Sequence, residues 1–214
     1  MEILQLGLAL ELFSGFLGVT LFFLFLKRYL YVPNRPVLWL SVMFLLHGAN
    51  NILWFVSDIP SVTSQYIAIA GYATYGLIPL FGTLFATGVV RYHKREIDPV
   101  IIALSSIFFI VNLIYPPVHI GIEGEIFWIP SATTFLSYVP LMVAAYAPLL
   151  LFAAFSLREK NRRTALLSSG FFLIATFESV LEANMLLPLF ITNFFEASGL
   201  LMISLSYGGQ THGR

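Results

Sequence analysis

The chain has 214 residues, of which 58% are hydrophobic and 10% are charged, and its mean hydropathy is +0.87. A soluble domain carries about a quarter of its residues as charged side chains, so this composition excludes an ordinary soluble fold and indicates a protein of the lipid bilayer. Lys and Arg balance Asp and Glu, and no stretch is basic enough for a nucleic-acid surface. The absence of cysteine excludes disulfides, thiolate metal ligands and thiol nucleophiles.

Long apolar runs predict transmembrane helices, because backbone groups in the hydrocarbon core must pair within their own element and a helical span needs about 20 residues. The first run begins with Glu2 instead of a basic region, which predicts a retained helix and not a cleaved signal peptide. Only the segment from Pro116 to Phe127 is a connection long enough to have structure of its own. Seven spans are predicted, near residues 4–29, 36–57, 63–91, 99–115, 130–157, 164–186 and 189–208.

The distribution of positive charge predicts the orientation of these spans, since short cytoplasmic loops carry the excess of Lys and Arg. With seven spans, all eleven basic residues fall on one side: Lys27, Arg28, Arg35, Arg91, Lys94, Arg95, Arg158, Lys160, Arg162, Arg163 and Arg214. We therefore expect an all-α, multi-pass protein of the cell membrane with its N-terminus outside and its C-terminus in the cytoplasm. Its basic cytoplasmic face is a candidate docking surface for a protein partner.

An internal repeat is indicated when the sequence is aligned with itself. Residues Arg35, Leu38, Ser41, Phe44 and Leu45 then match Arg163, Leu166, Ser169, Phe172 and Leu173. This predicts one domain over residues 1–214, built as a parallel 3+1+3 repeat with a first triplet over about 1–92, a linker helix over about 99–115 and a second triplet over about 130–208. The alternative is a chance match between two helices rich in Leu and Phe.

In architecture this arrangement resembles the seven-helix proteins that include sugar-transporting SWEET proteins, PQ-loop transporters and microbial rhodopsins. It is also similar to the seven-helix sensory modules at the front of membrane histidine kinases. The resemblance implies a transporter or a sensor. The seventh predicted helix, which holds Asn193 and Glu196, has no lysine for a retinal Schiff base, and the chain has no Pro-Gln dipeptide. A retinal pigment is therefore not expected, and no residue role is carried over.

Polar side chains inside the spans are the candidate functional residues, because such groups are costly in lipid and usually face the bundle interior or a wet cavity. Several of them share a helix face through i, i+3 or i+4 spacing. The predicted set for binding a substrate or a cation is Glu11, His47, Asn50, Asn51, Glu178, Glu182, Asn193 and Glu196. On the third helix Tyr72, Tyr75 and Pro79 could line a cavity, although aromatic packing is the preferred interpretation.

The four carboxyl groups of this set have no intramembrane Lys or Arg to neutralise them, and ionised carboxylates close together in a low dielectric repel strongly. Protonation would neutralise them and would suit proton coupling. A bound cation is the second possibility, with Glu178, Glu182, Glu196 and His47 as candidate metal ligands, and a cationic solute is the third. Each residue also has a structural interpretation, as a neutral hydrogen-bonding group that holds helices together.

These observations favour a cation- or proton-coupled transporter of a small solute. The alternatives are a ligand-sensing receptor module and an accessory subunit of a larger complex. A metal-dependent membrane hydrolase ranks below them, because the chain offers one central His and no intramembrane Asp to activate water. A protein that is not an enzyme is thus the more expected outcome.

Overall fold

A computed structural model describes residues 2–57, 59, 65–90, 97–115, 118–122, 125–129, 132–177 and 189–208. The helical character predicted from the sequence is confirmed, and most helix ends lie within a few residues of the predicted ones. The elements are α1 (Glu2–Tyr31), α2 (Arg35–Ser57), α3 (Gln65–Val90), α4 (Ile97–Ile114), β1 (Val118–Ile122), β2 (Glu125–Ile129), α5 (Ala132–Glu159), α6 (Arg162–Leu173) and α7 (Leu189–Gly208).

Two details correct or refine the prediction. The predicted 116–127 connection contains an antiparallel β-hairpin, in which Val118 pairs with Ile129 and Ile122 with Glu125, so the fold is a helical bundle with a hairpin. Its β-branched and aromatic residues favour strands. The sixth helix ends as an α-helix at Leu173 and continues as a π-helical turn over residues 174–177. The remainder of that predicted span lies outside the described residues.

Within the described part of the chain, the helices form a closed ring in the order α1, α2, α3, α5, α6 and α7, and α4 packs outside α3 and α5. Short turns make α1 and α2, and likewise α5 and α6, antiparallel neighbours. The turn between α5 and α6 is tight: Lys160 has a φ of 50°, and the Asn161 side chain accepts a hydrogen bond from the Arg163 N–H at 3.0 Å. Asn161 is thus the N-cap of α6.

The ring closes where α7 packs beside α1, with both helices running in the same direction. Near their N-termini the Asn193 side chain donates a hydrogen bond to the Gly7 carbonyl at 3.2 Å, and near their C-termini the Arg28 guanidinium donates to the Tyr207 carbonyl at 2.9 Å. The α1–α2 and α6–α7 contacts are close because glycines meet there. A Cβ on Gly199 would approach the Gly170 carbonyl oxygen to 2.7 Å, so small residues permit these crossings.

The interior of the bundle divides into two halves of different chemistry. The half near the C-termini of α1, α3, α5 and α7 is rich in buried aromatic rings, and we call it the aromatic half; it contains Phe25, Phe44, Phe85, Phe152, Phe171 and Tyr207. The Phe85 ring lies 5.6 Å from that of Phe152 and 5.1 Å from that of Tyr207, between centroids. The opposite half, the polar half, buries Glu11, His47, Asn50, Asn51, Thr192, Asn193 and Glu196.

The outer surface is apolar, as expected for a protein that faces lipid. Large side chains exposed on it include Phe13, Phe16, Phe23, Leu24, Val100, Ile107, Val143, Leu150, Phe172, Phe194 and Leu205. A surface of this kind in water would be an interaction or aggregation site. Within the described residues, three helical stretches are long and apolar enough to cross a membrane: Gln5–Tyr31, Arg35–Ser57 and Gln65–Val90. These features indicate membrane association. The seven membrane crossings, their orientation and the internal repeat remain predictions.

Candidate functional site

The centre of the polar half is a contact between α2 and α7. The Asn51 amide nitrogen donates a hydrogen bond to Oε1 of Glu196 at 2.7 Å, and Nδ1 of His47 lies 3.3 Å from the same oxygen. His47 and Asn51 are one helical turn apart, which directs both side chains toward α7. All three side chains are buried, and Glu196 is only 1% exposed. One carboxyl group therefore meets an imidazole and an amide away from water.

Other buried polar groups of the same half belong to α1 or connect the helices to one another. Glu11 and Ser14 on α1 are buried, with Glu11 3% exposed, and Asn193 fastens α7 to the α1 backbone. Asn50 belongs to a different contact, since its Oδ1 lies 3.2 Å from the Thr74 hydroxyl on α3. The two adjacent amides of α2 thus connect that helix to α7 on one side and to α3 on the other.

The backbone of α2 is placed beside α1 by glycine. A Cβ on Gly48 would lie 2.7 Å from the Val19 nitrogen and 2.8 Å from the Gly15 carbonyl oxygen, and a Cβ on Gly18 would lie 2.7 Å from the Gly48 nitrogen. Such distances leave no room for a side chain at the crossing. Because Gly48 directly follows His47, this close approach sets the depth and direction of the imidazole.

A small cavity adjoins His47 on the side of α3, α5 and α6. Its volume is about 20 Å³, and its lining is apolar apart from His47 and Tyr75; the other lining residues are Ile78, Pro79, Gly82, Ala145, Pro148, Phe171, Ile174 and Ala175. No residue of α7 lines it, although Nδ1 of His47 faces Glu196 on that helix. His47 therefore contacts both the carboxyl centre and the cavity.

The net charge of the centre depends on how many protons His47 and Glu196 carry. Within the described chain the Lys and Arg residues, such as Arg28, Arg35 and Arg158, are at the ends of helices that border the aromatic half, so they do not neutralise Glu196. With one proton the His47–Glu196 pair has zero net charge, either as imidazole with carboxylic acid or as imidazolium with carboxylate. A second proton makes the pair positive, and loss of the first makes it negative.

The structure brings together part of the predicted set. His47, Asn51 and Glu196 form the centre, and Glu11 and Asn193 line the same half, whereas Asn50 pairs with Thr74. Glu178 and Glu182 lie outside the described residues, so the predicted four-residue metal set stays a prediction. Among the described residues there is no group of three or more His, Asp or Glu side chains that could hold a metal ion.

Sequence reasoning missed Thr74 and gave too little weight to Tyr75. The signal for Tyr75 was present, because Tyr75 and Pro79 share one face of α3, and both line the cavity. Tyr72, by contrast, packs edge-on against Trp54, with ring centroids 5.1 Å apart.

Comparison of the chain with protein-family models, curated proteins and solved structures found no match. The site is therefore interpreted from its own geometry.

Proposed function

We propose that the protein is a proton-coupled transporter of a small solute, in which the His47–Glu196 pair binds the coupling proton. The observation that supports this most is the burial of Glu196 against His47 at 3.3 Å, with Asn51 donating at 2.7 Å. Ionisable residues inside membrane helices are costly and form proton relays in pumps and transporters. A pair whose net charge changes with each proton suits that task.

The contacts favour a proton over a metal ion as the coupling species. Metal ions of the Ca²⁺, Mg²⁺ or Na⁺ type prefer several oxygen ligands. At Glu196 the amide of Asn51 presents its nitrogen, which is a donor, and the imidazole of His47 presents a ring nitrogen. The Asn51 amide nitrogen is a donor and cannot bind a cation, so this side of the carboxyl group is unsuited to a metal ion.

The division of the bundle also supports a carrier that opens to one side at a time. The aromatic half closes the site from the basic end with fully buried rings such as Phe44, Phe85 and Phe152. Helix irregularities surround the cavity next to the site: Pro79, Pro148 and the π turn at residues 174–177. Prolines and π turns are points where helices bend. They are suitable positions for a change between two arrangements.

Charge movement after a pH jump tests the proposal directly. Purified protein is reconstituted into liposomes on a sensor membrane, and the transient current is recorded. We expect a charge displacement in the wild type that is lost in Glu196→Gln, because glutamine keeps the shape but cannot take up a proton. The control is Glu159→Gln, at an exposed position beside Arg158, which should behave as the wild type. A full-sized transient in Glu196→Gln would contradict the proposal.

Transport itself is tested by uptake driven by a pH gradient, with a panel of labelled sugars, amino acids and organic cations. A ligand-sensing receptor is the second candidate, and the observation in its favour is the packing of buried rings in the aromatic half, which would let a site receive a ligand without passing it on. A receptor would bind a panel member without accumulating it. Accumulation that depends on the gradient and on Glu196 supports the transporter.

A further inference from the structure

Binding of a proton by His47 and Glu196 does not by itself use the cavity beside His47. We propose that this cavity is a binding site for one water molecule, and that this water connects His47 to Tyr75 and extends the proton path from Glu196 toward the aromatic half. The inference rests on the proposed function, because it concerns where the proton goes after His47. Its ligand, a single water, follows from the size and the lining of the cavity.

The size of the cavity decides between water and solute. Its volume is about 20 Å³, and one water needs roughly 10–15 Å³ of such volume. Pockets that hold organic ligands are usually about 300–1,000 Å³. The cavity therefore fits one water and excludes an organic solute of ordinary size. The π turn contributes to this space, since Ile174 and Ala175 belong to it and line the cavity.

A buried water is stable only where it finds two to four hydrogen-bonding partners. His47 and Tyr75 supply side-chain groups in the lining. Pro79 has no N–H to donate to the carbonyl four residues earlier, which is that of Tyr75, a residue that itself lines the cavity. Imidazole, phenol and this carbonyl are enough for one water.

The position of Tyr75 gives the path a direction. Tyr75, Pro79 and Thr83 recur at four-residue spacing on α3, so they follow one stripe of that helix from the cavity into the aromatic half. The Thr83 hydroxyl is buried, and among the described residues it has no hydrogen-bond partner. The Thr83 hydroxyl follows Tyr75 along this stripe, where the proton path would continue.

The transfer is balanced in atoms and charge. His47 in its protonated form gives an N–H proton to the bound water, the bound water gives one of its own protons to the Tyr75 oxygen, and the Tyr75 hydroxyl gives its proton to a solvent water on the far side, which carries the positive charge as hydronium. The bound-water oxygen and the Tyr75 oxygen each lose one O–H bond and gain another. The bound water and the phenol end as they began, with their hydrogen bonds reversed in direction, and His47 is left neutral.

Two variants test the water path, and Glu196→Gln separates it from the proposed function. Tyr75→Phe removes the hydroxyl, and Ala145→Val fills the cavity with two methyl groups. In the pH-jump measurement we expect both to keep the amplitude of the charge displacement but to slow it about tenfold, equivalent to about 1.4 kcal/mol on the barrier. The control is Tyr146→Phe, whose phenol contacts Thr176 at 3.2 Å and does not line the cavity.

Infrared difference spectra give a readout independent of the current. A bound water produces an O–H stretching band that shifts in heavy-oxygen water, and Ala145→Val should abolish that band while Tyr146→Phe retains it. If Glu196→Gln loses the transient and Tyr75→Phe keeps the wild-type rate, the water path is wrong and the proposed function stands. A wild-type protein without the shifting band overturns the inference, and a full transient in Glu196→Gln overturns both.

Discussion

A methyl group at Gly18 should disrupt the crossing of α1 and α2 on which the site depends. A Cβ at this position would lie 2.7 Å from the Gly48 nitrogen, 2.8 Å from the Gly48 Cα and 2.8 Å from the Phe44 carbonyl oxygen. All three contacts are backbone atoms, which cannot rotate away. The helices must instead separate by roughly 0.7 Å or more to reach the ~3.5 Å at which carbon atoms pack.

The expected cost follows from two opposing effects. Overpacking that forces backbone shifts costs about 1–3 kcal/mol, and replacing glycine by alanine inside a helix returns at most about 1 kcal/mol. We expect Gly18→Ala to lower the free energy of unfolding by about 1–2 kcal/mol in net. The shift also moves Gly48 and its neighbour His47, so the charge displacement linked to Glu196 should weaken.

Gly15→Ala is the matched control on the same helix. Its new Cβ would meet Cγ1 of the Ile52 side chain at 2.9 Å, while the nearest backbone atoms are 3.4 Å away. Because Ile52 can change rotamer, we expect a loss below about 1 kcal/mol. Unfolding in mixed detergent micelles, followed by circular dichroism, measures both variants. Equal stability of Gly18→Ala and Gly15→Ala would refute the argument from backbone contact.

Three further substitutions, two of them with a control variant, probe other parts of the bundle in the same assay. Asn51→Ala removes the donor at 2.7 Å from Glu196 and should lower the unfolding free energy by roughly 1–3 kcal/mol; an unchanged value would mean that this bond does not hold α2 to α7. Arg28→Ala removes the hydrogen bond to the Tyr207 carbonyl and the cation–π contact, in which the guanidinium carbon lies 5.4 Å from the centroid of the Tyr207 ring. The expected loss of unfolding free energy is about 1–2 kcal/mol. Lys27→Ala, at an exposed position, should change little. Phe85→Ala creates a cavity in the aromatic half and should lower the unfolding free energy by about 3–5 kcal/mol. Phe16→Ala, at a ring 59% exposed on the apolar surface, should cost less than about 1 kcal/mol; similar losses at both positions would argue against a packed aromatic core.

Much of the helical fold was predictable because its signals are local. Apolar runs, proline and glycine breaks and clusters of basic residues are read along the chain, and the described helix ends lie close to the predicted ones. The hairpin was less predictable, because two five-residue strands inside a connection give a weak pattern next to long helices. The π turn at residues 174–177 leaves no mark in composition, since it depends on how the helix accommodates its neighbours.

The amino-acid sequence alone determined which residues are polar inside the predicted spans and which of them share a helix face, for example His47 and Asn51. It could not determine which face of another helix they meet. That Glu196 lies against Asn51, 145 positions away, follows from the closure of the ring by α7. The division into a polar and an aromatic half likewise exists only in the assembled bundle. The physical reason is that spacing is a property of one helix, whereas a buried pair such as His47 and Glu196 needs two backbones brought together, here those of α2 and α7.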